Sequence, residues 1–191
     1  IPFRSDIQIL RGISVLFVLL FHLAITGFDR GFLGVDVFFV ISGYLMATMF
    51  DEGTPGKFYM RRIKRLVPAY VVTVVGTLMA ASLLTIPVDF VQAAKQALFA
   101  AGFVSNIGFW LQSSYFSNEE FSPLLNLWSL GVEMQFYLLI PLLYTFLKPR
   151  KHTTLLLLLL AFVASVAMAD ISPKTAFYHM PFRIWEFLIG A

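Results

Sequence analysis

Apolar positions along this chain come in blocks rather than in the alternating or amphipathic patterns of a soluble core. A membrane-spanning helix needs roughly 20 consecutive apolar residues. Residues 7–28, 34–50, 66–86, 127–147 and 153–169 reach or approach that length, and a sixth block begins near Pro181 and runs to Ala191. Residues 90–111 are similar in length, but Gln92, Lys95, Gln96, Ser105 and Asn106 dilute them. The pattern predicts an all-α, polytopic transmembrane helix bundle with about six helices over residues 1–191. The first block is expected to be a retained transmembrane helix rather than a cleaved leader. It is longer than a usual signal core, lacks a small-x-small cleavage site, and is followed almost at once by another apolar block.

Lysines and arginines in the connections set the orientation. The connector "DEGTPGKFYMRRIKR" holds Lys57, Arg61, Arg62, Lys64 and Arg65 and is expected on the cytoplasmic side, which places the N-terminus inside. The turn "TGFDRGF" and Ile86 then lie outside. A second basic stretch, "KPRKH", is also expected inside, so the block from Leu127 must enter from outside. Parity therefore makes residues 90–111 re-entrant or interfacial, since backbone at that depth is tolerated only against protein or a water-filled cavity.

Composition reinforces this picture. The 191 residues are 59% hydrophobic with a mean hydropathy of +0.80, well above a soluble domain, and only 13% are charged. Cysteine is absent, which removes disulfides and thiolate metal sites. The chain starts at Ile1 and ends inside an apolar block, which reads as part of a longer membrane protein. No metal and no nucleic-acid partner is expected; the lipid bilayer is.

The chemistry resides in the polar residues that interrupt the blocks. In "RGISVLFVLLFH", Arg11 lies near the inner end of the first helix and His22 about 16 Å further along. Asp36 in "GFLGVDVFF" enters from outside to a similar depth. Glu133 in "WSLGVEMQFY" and Arg183 and Glu186 in "PFRIWEF" also belong to the first turns of helices entering from outside. An ionisable group inside a bilayer costs at least a few kcal/mol, so each is a functional candidate. Arg11 has two readings, snorkelling to the inner headgroups or binding. His22 with Asp36 reads as a general base whose tautomer a carboxylate fixes, or as a structural interhelical hydrogen bond. Arg61, Arg62 and Arg65 would share a helix face, and guanidinium forks suit phosphates; the alternative is a pure topology signal.

Taken in order, "LRGISVLFVLLFH", "GFLGVDVFFVISGYL", "FYMRRIKRLVPAY", "LWSLGVEMQFYLLIP" and "FRIWEFLIGA" resemble the membrane-bound acyltransferase 3 family, which includes O-acetyltransferases of O-antigen, peptidoglycan and exopolysaccharides. The resemblance spans nearly the whole chain and implies that residues 1–191 are the N-terminal part of a domain of about ten helices. It implies a cytoplasmic acyl-CoA donor, acetyl-CoA above all, and a hydroxyl of a cell-envelope glycan as acceptor. An essential arginine–histidine pair falls on Arg11 and His22, a functional Arg-x-x-Arg on Arg62 and Arg65, and functional roles on Asp36 and Glu133. Two positions depart from the family pattern. Asn126-Leu127 stands where relatives often carry His-Thr, and Met134 stands where a second glutamate is common. The first departure bears on which acceptor is used.

The expectation is an integral inner-membrane O-acyltransferase. His22, Asp36 and Glu133 are its catalytic residues, and Arg11, Arg61, Arg62 and Arg65 hold acyl-CoA. Asn106, Trp128, Arg183 and Glu186 face the acceptor. Direct transfer and an acyl-enzyme both stay open, and spacing singles out no nucleophile such as Ser42 or Tyr44. Expected partners are the remainder of the same domain and a fused extracytoplasmic domain. The competing class is a transporter or proton-coupled permease, which uses buried polar groups of the same kind.

Overall fold

The structure is a computed structural model that describes residues 4–50, 54–112, 121–147 and 151–191. The first three residues of the first basic connector (51–53), residues 113–120 and most of the "KPRKH" stretch lie outside the described residues. The helices are Ser5–His22 (α1), Gly34–Met49 (α2), Pro55–Leu84 (α3), Pro87–Ala101 (α4), Ser105–Gln112 (α5), Leu127–Leu147 (α6), Lys151–Ile171 (α7), Pro173–Tyr178 (α8) and Ile184–Gly190 (α9). Among the described residues there is no strand. Five of the helical segments are long and apolar enough to cross a membrane: Ser5–His22, Gly31–Met49, Pro55–Leu84, Leu127–Tyr144 and His152–Ile171.

The boundaries follow local chemistry. α3 and α4 each begin with a proline in the first turn, where the missing N–H costs nothing. α8 begins on Ser172, whose hydroxyl accepts from the Thr175 N–H at 3.3 Å. α1 is shorter than its apolar block suggests. It stops at His22 because Ala24 turns left-handed at φ 51°, with the Ile25 N–H bonding back to the Leu20 carbonyl at 3.1 Å. The apolar residues beyond it fold into a turn that packs on the helix, with Phe28 edge-on to Phe17 at 5.6 Å. Conversely α3 is longer than expected. Its 30 residues take in the basic stretch, so Arg61, Arg62, Lys64 and Arg65 ride its first turns. The end of the bundle that carries them is called the basic side below.

α4 and α5 form a short helical hairpin over the segment expected to be re-entrant or interfacial. α4 runs back along α3 and stops halfway, where the Tyr70 hydroxyl donates to the Ala100 carbonyl at 2.9 Å. Phe103 takes the left-handed conformation at the turn, φ 54°, with its ring stacked on Tyr70 at 4.9 Å. α5 then leads away from the basic side. Its Trp110 indole donates to Thr175 of α8 at 3.0 Å, and α8 follows α7, which starts at the second basic stretch. The chain returns beside α4, where Gln96 donates to the Phe121 carbonyl at 3.1 Å and accepts from the Leu124 N–H at 3.3 Å. α6 therefore enters from the same face as α4.

The tightest seam joins α2 to α9. A methyl added at Gly43 would overlap the Phe187 carbonyl, and one at Gly190 would overlap the Val40 carbonyl. Such close approach through small residues is how helices gain packing where lipid offers no hydrophobic drive. Around the seam Phe187 stacks on Phe136 at 4.0 Å and on Phe39 at 4.7 Å, which carries the contact across to α6.

Candidate active site

α1, α2, α3 and the start of α6 line a partly open cavity of about 450 Å³ whose wall includes Arg11, His22, Asn126, Ser129 and Glu133 among apolar side chains such as Phe38 and Leu66. A second cavity, about 250 Å³, lies between α2, α6 and α9; its lining, including Met46, Phe136 and Ile140, contains no charged side chain. The first is the one lined by titratable side chains, Arg11, His22 and Glu133.

His22 ends α1 with an exposed ring, and its Nδ1 lies 2.7 Å from the Val18 carbonyl one turn earlier. A carbonyl only accepts, so Nδ1 carries the proton and Nε2 is the basic nitrogen of the neutral ring. The tautomer is thus set by backbone. Arg11 lies three turns below on the same helix, its guanidinium over the Phe38 ring at 5.6 Å. Glu133 accepts from the Ser42 hydroxyl and from the Tyr137 hydroxyl, each at 2.6 Å and both on Oε1. Arg11 sits within electrostatic reach of Glu133, Tyr137, Arg62 and Arg65. Charged groups therefore run from the basic side to Arg11 and Glu133, on the wall of the cavity that His22 also lines.

The expected pairing of His22 with Asp36 is corrected by the structure. Asp36 accepts from the Arg183 guanidinium, 147 residues away in sequence, rather than from the imidazole. Arg183 also lies 3.2 Å from Glu186. Its guanidinium sits over the rings of Phe39, Trp128 and Phe177, at 5.6, 5.8 and 5.6 Å. Asp36, Trp128, Arg183 and Glu186 thus form a cluster of their own that ties α2 and α6 to the start of α9. Trp128 and Glu186 are each 1% exposed. The layer of titratable groups expected on one level divides into this cluster and the cavity of Arg11, His22 and Glu133.

Asn106 is fully buried, donates to the Tyr178 carbonyl at 3.0 Å and accepts from Gln135 at 2.9 Å, pinning the hairpin to α6 and α8. In the basic stretch the three arginines do not act as one face. Arg61 is exposed. Arg62 is buried, between the rings of Phe58 and Tyr137 at 5.4 and 5.6 Å, with Met49 Sδ 3.4 Å from its guanidinium. Arg65 is exposed and shares electrostatic reach of Arg11 with Arg62.

Ser42 and Tyr137 are residues whose link to Glu133 sequence reasoning does not supply. Tyr137 lies one turn after Glu133, so spacing could have suggested it. Ser42 lies 91 residues away, and only the packing of α2 on α6 reveals it.

Comparison with known proteins agrees in direction. The acyltransferase 3 family, described as an acyltransferase domain, matches residues 4–191. A Komagataeibacter xylinus protein named as membrane-bound transacylase BcsY is 36% identical over 197 aligned residues, covering 98% of this chain and 50% of that protein. The O-acetyltransferase OatA of Staphylococcus aureus is 35% identical over 154 residues, covering 74% of this chain and 25% of OatA. An uncharacterized Haemophilus influenzae protein is 34% identical over 150 residues, 71% of this chain and 60% of that protein. The chain thus spans half or less of the length of the two named relatives. No solved structure matches it significantly.

Proposed function

The chain belongs to the acyltransferase 3 family, and from that premise we propose that it forms the catalytic membrane part of an O-acyltransferase of the cell envelope. The donor is acyl-CoA from the cytoplasm, and the acceptor is a hydroxyl of an envelope glycan on the far side. Acetyl is the favoured group because OatA is named an O-acetyltransferase. The observation that carries the reading is the single cavity lined by Arg11, His22 and Glu133. The protein lies in the inner membrane with its N-terminus inside, an orientation supported by the arginines and lysines of early α3.

The chemistry follows from the groups present. The donor's phosphates lie at Arg65 and Arg62, and its pantetheine arm passes Arg11 into the cavity. His22 Nε2 takes the proton of the acceptor hydroxyl as that oxygen bonds to the thioester carbon. Glu133 faces the imidazolium that forms, in the role first expected of Asp36. The C–S bond breaks, and His22 returns its proton to the departing CoA sulfur. General base catalysis of this kind contributes typically 10²–10⁴-fold, and holding donor and acceptor in one cavity adds the advantage of proximity.

The test uses proteoliposomes containing the protein, acetyl-CoA labelled on the acetyl group, and an envelope glycan extract. The expected result is label in ester linkage to glycan with stoichiometric release of free CoA. Accumulation of a solute inside the vesicles with no CoA release would overturn the reading in favour of a transporter.

A further inference from the structure

Hydroxyl side chains inside these helices usually close on their own backbone. Ser14 donates to Leu10 O at 2.8 Å, Thr48 to Tyr44 O at 2.8 Å and Thr73 to Ala69 O at 2.9 Å. That back-bond is the local solution for Ser and Thr in an apolar helix. Ser42 departs from it. Its Oγ is directed across the α2–α6 interface to Glu133 Oε1 at 2.6 Å, and the residue is 8% exposed. Tyr137 donates to the same oxygen at 2.6 Å. A carboxylate oxygen has two lone pairs, so Oε1 is saturated. Among the described residues no donor bonds Oε2, while Glu133 itself lines the cavity with Arg11 and His22.

From this geometry we propose that Ser42 is a positioning residue of the transfer site, which together with Tyr137 fixes the Glu133 carboxylate so that Oε2 faces the cavity. The proposal rests on the reading of Glu133 as part of that site. Two features separate this role from that of a nucleophile. Ser42 is not on the cavity wall, where α2 contributes Val35, Phe38 and Phe39 instead. Its hydroxyl proton is engaged by an oxygen that Tyr137 also holds, which anchors the carboxylate rather than frees the serine. Gly43, next in the chain, presses on the Phe187 carbonyl of α9, so the backbone that carries Ser42 is itself clamped.

The test is a double-mutant cycle on transfer from labelled acetyl-CoA to envelope glycan in proteoliposomes. Ser42→Ala is expected to lower kcat about tenfold, the scale of one hydrogen bond to a charged group, with the KM for acetyl-CoA within about twofold. Ser42→Thr keeps the hydroxyl and should recover most of the rate. In a Glu133→Gln background Ser42→Ala should cost nothing further, because its effect runs through the carboxylate. Losses that multiply in the double variant, or an acetyl group on Ser42 found by mass spectrometry, would overturn the proposal. A full rate for Ser42→Ala beside an active wild type would overturn it while leaving the acyltransferase reading intact. Failure of the wild type to transfer at all would overturn that reading first.

Discussion

Arg183 faces two carboxyl groups with one guanidinium, so it can balance the charge of only one of Asp36 and Glu186. Removing the arginine leaves both carboxyl groups without a counter-charge in apolar surroundings, whereas neutralising Asp36 leaves Arg183 with Glu186. Arg183→Met should therefore cost about 3–5 kcal/mol of stability, and Asp36→Asn distinctly less, as read by thermal unfolding in detergent. Asp36→Asn should also keep most of its transfer rate per folded molecule, because Asp36 lies on the cluster and not on the cavity wall. Normal stability with abolished kcat would return Asp36 to the catalytic group. The arginines of α3 divide in a similar way. Arg65 is exposed, so Arg65→Ala should raise the KM for acetyl-CoA roughly tenfold, the loss of one charge-assisted contact, without changing unfolding. Arg62 is packed between two rings, so Arg62→Ala should lose both affinity and stability. Arg62→Lys should rescue only in part, for want of the planar fork.

Among the elements, α2 and α9 depend on contact between backbones. Gly43→Ala would drive a methyl into the Phe187 carbonyl and force the helices apart, for a cost of about 1–3 kcal/mol. The same change at Gly76, which has open space around it, should be neutral or slightly stabilising in the same thermal measurement. How far each element is legible in sequence depends on where its polar residues fall. Run length marks α2, α6 and α7 to within a few residues, because their apolar blocks end where the helices end. It overshoots α1, since Leu23, Ala24, Ile25 and Phe28 are as apolar as the helix but pack as a turn. It undershoots α3, whose first turns are too basic to score as membrane. The hairpin of α4 and α5 is legible only through the parity of the basic stretches. Within the site, Arg11 and His22 share one helix, so their relation can be read from spacing. Arg183, the partner of Asp36, and Ser42, one of the two partners of Glu133, lie 147 and 91 residues away, and no local pattern announces them.

For the whole molecule, the hydrogen bonds of Gln96 and Asn106 hold the hairpin against residue 121 and α6, the arrangement expected of a hairpin that enters and leaves on one face. Cysteine is absent, so single substitutions report sidedness cleanly. Asp29→Cys and Phe121→Cys should both react with an impermeant thiol reagent on intact cells, and Lys57→Cys should react only after permeabilisation. Phe121→Cys protected together with Lys57→Cys would mean that the hairpin crosses the membrane, with Glu133 then approached from the donor side. The central claim is that the cavity of Arg11, His22 and Glu133 performs the transfer, and the rate of His22→Ala tests it most directly. Labelled acetyl from acetyl-CoA should reach envelope glycan at least about a hundredfold more slowly in His22→Ala than in the wild type at equal expression; transfer at the wild-type rate would contradict the account.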